Sequence, residues 1–82
     1  MAKVSVVVPD VWGEDKSQEA VIVNWYYPEG AEVREGDLLA EGMLEKVTFE
    51  IRAPASGRLA RILAPVDATV KAGHVVAEIE TG

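Results

Sequence analysis

The sequence predicts an all-β domain in which two short antiparallel sheets pack as a flattened barrel or sandwich, related by an internal pseudo-twofold repeat. Three observations lead there. The chain matches itself at an offset of 37 residues. Its apolar residues fall in short β-favouring runs closed by turn-forming groups, and no apolar stripe of helical period continues beyond two turns.

In the repeat, residues 28–41 align with residues 65–78. Pro28/Pro65, Ala31/Ala68, Val33/Val70, Gly36/Gly73, Ala40/Ala77 and Glu41/Glu78 are identical, and Leu38/Val75 and Leu39/Val76 are similar. Ile22/Leu59, Trp25/Ile62 and Tyr26/Leu63 extend the match upstream with apolar residues. Units this short cannot each bury a core, so they are expected to pack face to face.

Six runs follow in order. Val4 to Val8 stops at Pro9-Asp10 and is too short for a signal peptide or a membrane span. Ala20 to Tyr26 stops at Pro28-Glu-Gly30, and Leu38 to Leu44 begins after Glu35-Gly-Asp37. Val47 to Arg52 alternates apolar and polar residues and ends at Ala53-Pro-Ala-Ser-Gly57. Gly57 to Leu63 runs towards Pro65, and Val75 to Ile79 follows Lys71-Ala-Gly73. Ile22 and Trp25 are three apart instead of two, as are Leu59 and Ile62, which predicts a bulge at the same point of each copy.

One domain, residues 1–82, accommodates this, with a core too thin to enclose a large cavity. There is no cysteine, which removes disulfides, thiolate metal sites and a cysteine nucleophile. The net charge of −6 opposes nucleic acid and anionic membranes as partners and favours basic ones. With one histidine, His74, no grouping of nucleophile, base and oxyanion donor can be assembled, so an autonomous enzyme is disfavoured. His74 follows a turn glycine and is expected at a solvent-facing strand start. Glu29, Glu32 and Glu35 lack the residue order of a calcium loop.

The residue that the repeat leaves unexplained is Lys46, between Leu44 and Val47. Alternation assigns Val47, Phe49 and Ile51 to the core and Thr48, Glu50 and Arg52 to water. A two-residue turn at Glu45-Lys46 would then pair Leu44 with Val47 and project the amine into solvent. Glu-Lys is a poor choice for a tight hairpin, where Asn-Gly or Asp-Gly is preferred, so the lysine is wanted there for another reason. By the repeat, the counterpart of this turn is the place where the chain ends meet, which puts Lys46 at the opposite pole. Trp25 is expected in the core. Trp12, with Glu14 and Asp15 in the polar loop after the first run, is expected either to form a partner surface or to pack over the hairpin.

Three segments, residues 29–41, 45–57 and 66–73, carry a resemblance to the biotinyl/lipoyl carrier family over nearly the whole chain. That resemblance implies a barrel-sandwich hybrid, or hammerhead, fold and a non-catalytic carrier domain whose Lys46 takes a cofactor in amide linkage. Biotin carriers usually flank their lysine with methionines, whereas Glu45 and Val47 flank this one, so the comparison favours lipoate, with biotin as the alternative cofactor. Implied partners are a lipoate ligase or lipoyl transferase, recognising Glu45 and Val47 on a hairpin set by Gly36 and Gly57, and the decarboxylating dehydrogenase, acyltransferase and dihydrolipoamide dehydrogenase components of a 2-oxoacid dehydrogenase complex. The compartment implied is the cytoplasm, or the mitochondrial matrix in a eukaryote. A biotin carboxyl carrier and an unmodified hammerhead used for assembly are the competing readings, and Glu45 as a merely solvated acid competes with Glu45 as a recognition residue.

Overall fold

The computed structural model describes residues 2–12 and 18–82, and every described element is a strand. These are β1 (Ala2–Val7), β2 (Ala20–Trp25), β3 (Glu32–Val33), β4 (Leu38–Leu44), β5 (Val47–Arg52), β6 (Gly57–Ile62), β7 (Thr69–Val70) and β8 (Val75–Thr81). Two antiparallel four-stranded sheets result, one in the order β1-β8-β6-β3 and the other β5-β4-β2-β7. The six expected runs are all present. The two strands that sequence patterning does not announce, β3 and β7, are two residues long, too short to display an alternation, and are each other's repeat mates.

The twofold repeat extends to individual hydrogen bonds. Val21 pairs with Met43, Ile22 with Gly42, Asn24 with Glu41 and Trp25 with Ala40. Adding 37 to each gives Arg58 with Glu80, Leu59 with Ile79, Arg61 with Glu78 and Ile62 with Ala77, which is the observed register of the other sheet. Both ladders skip one residue, between Ile22 and Asn24 and between Leu59 and Arg61. This is the bulge that the three-residue spacing predicts. It turns Trp25 and Ile62 back towards the core edge, where both pack against the buried cluster.

The core lies between the sheets. Val6, Ile22, Leu39, Ile51, Leu59, Val76 and Ile79 are at most 1% exposed, and among the described residues no polar side chain is buried. At about 1.5–3 kcal/mol for each fully buried aliphatic side chain, this row supplies the cohesion that no disulfide provides. Trp25 closes one edge of the core, its indole N–H donating to the Ala64 carbonyl at 2.7 Å.

The turns repeat as well. Gly36 and Gly73 have φ of 91° and 77°, and each donates its N–H to the residue just past the end of the neighbouring strand in its own sheet, to Ala53 after β5 and to Val8 after β1. Asp37 accepts from the Arg34 N–H through its carboxylate at 2.9 Å, and at the equivalent place His74 Nδ1 accepts from the Lys71 N–H at 3.4 Å. His74 thus serves as a turn cap at the exposed start of β8.

Candidate functional site

β4 and β5 form a hairpin whose ladder runs from Leu38–Arg52 to Leu44–Val47, leaving Glu45 and Lys46 as a two-residue turn. Lys46 is exposed, and its amine makes no hydrogen bond or ion pair among the described residues. Glu45 has φ of 56°, a left-handed conformation that glycine or asparagine adopts more easily. An ordinary L-residue there costs about 1–2 kcal/mol. The Glu-Lys pair therefore stands at this turn against local preference.

The pole opposite is where β1 and β8 end together. Ala2 pairs with Thr81, and the Thr81 hydroxyl donates to the Ala2 carbonyl at 3.2 Å. In the repeat, Thr81 is the mate of Leu44 and Ala2 occupies the place of Val47. The hairpin apex and the paired chain ends are thus exchanged by the pseudo-twofold axis, as the sequence predicts.

Val47 departs from expectation. Phe49 and Ile51 face the core at 7% and 1% exposure, but Val47 is 65% exposed. Alternation assigns it to the core side of the strand, yet at this last ladder pair before the turn its partner Leu44 packs against the core while Val47 stays open to water. The result is an apolar side chain in water beside the lysine.

Trp12 is also corrected as an exposed recognition residue. It is 7% exposed, its ring centroid lies 6.0 Å from that of Phe49 at 54°, and its indole N–H donates to the Gln18 carbonyl at 2.6 Å. Trp12 takes the second of its two expected roles, packing over the hairpin against Phe49 of β5. Glu14 and Asp15, grouped with it in the sequence, lie outside the described residues.

Gly36 and Gly57 are not neighbours of the lysine. Gly36 precedes β4 at the end of the hairpin away from the turn, separated from the apex by the whole of β4, whose six residue steps span about 20 Å. Gly57 is in the other sheet, opposite Val33, where an added Cβ would sit 2.3 Å from the Glu80 carbonyl oxygen. Both serve the backbone, Gly36 by its positive φ and Gly57 by close approach, and neither is placed to be read together with Lys46.

Sequence reasoning placed Phe49 in the core, where it is found, but missed its partner Gly42. They are directly opposite in the hairpin, and a Cβ on Gly42 would meet the Phe49 ring at 2.4 Å. The ring lies over the bare glycine with Trp12 on its other side, so the three hold the base of the hairpin. A glycine inside a strand run was the available signal.

The family model described as biotin-requiring enzyme, the biotin/lipoyl attachment family, matches residues 4–79. The chain is 38% identical over 80 residues to the dihydrolipoyllysine-residue succinyltransferase component of the 2-oxoglutarate dehydrogenase complex of Rickettsia conorii, covering 98% of this chain and 20% of that protein. The same component from Cupriavidus necator is 35% identical over 81 residues, covering 99% and 19%. The chain thus spans about a fifth of the length of these curated relatives. Among solved structures, the lipoyl domain of the 2-oxoglutarate dehydrogenase complex from Azotobacter vinelandii superposes with a TM-score of 0.73 at 20% identity, covering 95% of this chain and 99% of that one. A single-chain, multi-domain long-chain acyl-CoA carboxylase superposes equally, at 0.73 and 20%, over 98% of this chain and 7% of that one. At that identity the two structures speak to the fold alone, while the family match spans the hairpin and both copies of the repeat. The chain belongs to the biotin/lipoyl attachment family.

Proposed function

We propose that this chain is a swinging-arm carrier domain in which Lys46 takes lipoate in amide linkage and serves a 2-oxoacid dehydrogenase complex. The observation that carries the reading is the free, exposed amine at the apex of a two-residue turn, at the pole away from the chain ends. Among the described residues no acid engages that amine, so its acylation breaks no interaction seen there. The exposed position suits an arm that must reach several partners.

A lipoyl group supplies a cyclic disulfide that opens on acyl transfer and closes again on reoxidation of the dithiol. The residues here present and identify the arm. Leu44 and Val47 close the turn, the Phe49–Gly42 contact stiffens its base, and the amide removes one positive charge, taking the formal balance from −6 to −7. Tethering on a folded domain keeps the cargo at high effective concentration near successive active sites. The succinyltransferase names of the relatives and the Glu45 and Val47 flanks both favour lipoate over biotin. In this reading the modifying enzyme is a lipoate ligase or lipoyl transferase that uses Glu45. The partners are the decarboxylating dehydrogenase, the acyltransferase and dihydrolipoamide dehydrogenase, in the cytoplasm or mitochondrial matrix.

Intact-protein mass after incubation with lipoate, ATP and a lipoate ligase tests this. Wild type is expected to gain one lipoyl group and Lys46→Arg none, with unchanged circular dichroism. Modification of the arginine variant would sink the assignment, and a mass gain only with biotin and a biotin ligase would move it to the carboxyl-carrier class.

A further inference from the structure

The repeat provides an internal control for the outer surfaces. One row of side chains crosses the outer face of the β1-β8-β6-β3 sheet in the order Lys3, Glu80, Arg58, Glu32, each opposite the next in the register. Every member is charged, the signs alternate, and Arg58 bonds Glu80 at 3.2 Å. The repeat-equivalent row on the β5-β4-β2-β7 sheet is Thr48, Met43, Val21, Thr69. None of these is charged, and Met43 is 38% exposed.

The adjoining rows differ in the same sense. On the first sheet Glu78 stands between Ser5 and Arg61. On the second, Glu41 stands between Asn24 and Glu50. Two carboxylates directly opposite one another repel. Glu50 is held by Arg52 at 2.7 Å, while Glu41 has no hydrogen bond or ion pair from its side chain among the described residues. The uncharged row ends on the Met43–Thr48 pair, one ladder pair before the Leu44–Val47 pair that closes the Glu45-Lys46 turn.

A sheet face with one copy neutralised pair by pair, and the other left uncharged beside unrelieved acids, is asymmetric in a way the core does not require. We infer that the outer face of the β5-β4-β2-β7 sheet is the docking face for the decarboxylating dehydrogenase that loads the arm on Lys46. The partner surface has an apolar centre, to cover Val21 and Met43, and lysine or arginine side chains, to relieve Glu41 against Glu50. The strip is four strands wide, about 14 Å at the usual strand spacing, which suits a brief encounter instead of a permanent complex. A carrier must leave each site it visits. This inference rests on the carrier reading of Lys46.

The test uses the ¹⁵N-labelled, unmodified domain titrated with the decarboxylating component of a 2-oxoglutarate dehydrogenase complex, so that a failure of lipoate attachment does not enter the readout. Amide signals of Val21, Glu41, Met43, Thr48 and Glu50 are expected to shift or broaden, while those of Ser5, Arg58, Glu78 and Glu80 stay in place. Glu41→Lys places a base opposite Glu50, so the fold is retained, and it should weaken binding about tenfold at low salt, whereas the control Glu78→Lys stays within about twofold. Met43→Glu is expected to weaken binding with little salt dependence. Perturbations on the β1-β8-β6-β3 face, signals confined to residues 45–47, absence of binding, or equal effects of Glu41→Lys and Glu78→Lys would each overturn the docking face. Failure of the lysine assignment shows separately, as the missing mass gain.

Discussion

The half of the molecule that carries Lys46 and the half that carries the chain ends share their backbone hydrogen bonds and differ in what hangs from them. Tyr26 donates to Leu39 as Leu63 does to Val76, and Gly36 to Ala53 as Gly73 does to Val8. The differences gather in a few places. At one cross-strand position the hairpin half has Gly42 opposite Phe49, and the other half has Ile79 opposite Val4. Between equivalent points Val8 and Ala53 on one side, and Ala20 and Gly57 on the other, the first copy has eleven residues, 9–19, and the second has three, 54–56. The longer loop brings Trp12, and the glycine makes room for the ring on which Trp12 rests. A repeat that is symmetric in its ladder has thus been made asymmetric at the lysine end by changes that fit one another, the longer loop with Trp12 and the glycine beneath Phe49. The teaching is that packing demands the ladder and leaves the rest of each copy free for another use.

Trp12→Ala strikes that asymmetry hardest. It removes a buried ring and a hydrogen bond, so a loss of about 3 kcal/mol is expected in urea unfolding. Amide exchange should rise at Thr48 and Phe49 more than at Lys3 and Val4, and equal acceleration in both halves would mean that Trp12 supports the whole domain and not its own hairpin. Next come the two crowded glycines. Gly57→Ala pushes a methyl against the backbone carbonyl of Glu80 and should cost about 2 kcal/mol, although its repeat mate is already Ala20. Gly42→Ala meets a side chain that can turn aside and should cost about 1 kcal/mol, with a change in Trp fluorescence as Phe49 moves under Trp12. If Gly57→Ala were the milder of the two, the closer backbone approach in the second copy would be wrong. The smallest effect should run the other way. Asp67, with φ of 77°, stands where the first copy has Gly30 at 92°, and Asp67→Gly should raise stability by about 0.5–1 kcal/mol by relieving a left-handed residue. A loss on that substitution would show that the aspartate does something its mate does not.

Much of this was legible in the sequence because repeats and alternation are local patterns. The β-favouring runs between turn-forming groups located the six longer strands, the three-residue spacings of Ile22/Trp25 and Leu59/Ile62 located the bulges, and the unfavourable Glu-Lys turn singled out Lys46. What stayed hidden depends on partners distant in the chain. Val47 has the correct parity for the core but sits in the last ladder pair before the turn, where it is left exposed. Trp12 sits in a polar stretch, and only the ring of Phe49, 37 residues later, explains its burial. Gly36 and Gly57 read as hairpin-setting turns, but one acts at the far end of the hairpin and the other in the opposite sheet. The outer faces needed the cross-strand register, since Thr48, Met43, Val21 and Thr69 come from four separate strands.

The pairing of Ala2 with Thr81 also decides how the domain bears load. Ladder hydrogen bonds in an antiparallel pair lie across the strands. Tension that separates the two chain ends peels β1 from β8 one pair at a time, beginning at Ala2 and Thr81. Tension between Lys46 and either end runs along the strands and engages each ladder in shear, all pairs together. A cargo pulled at the lysine pole therefore meets the stiff direction of the molecule, and the soft direction is the seam between its own ends.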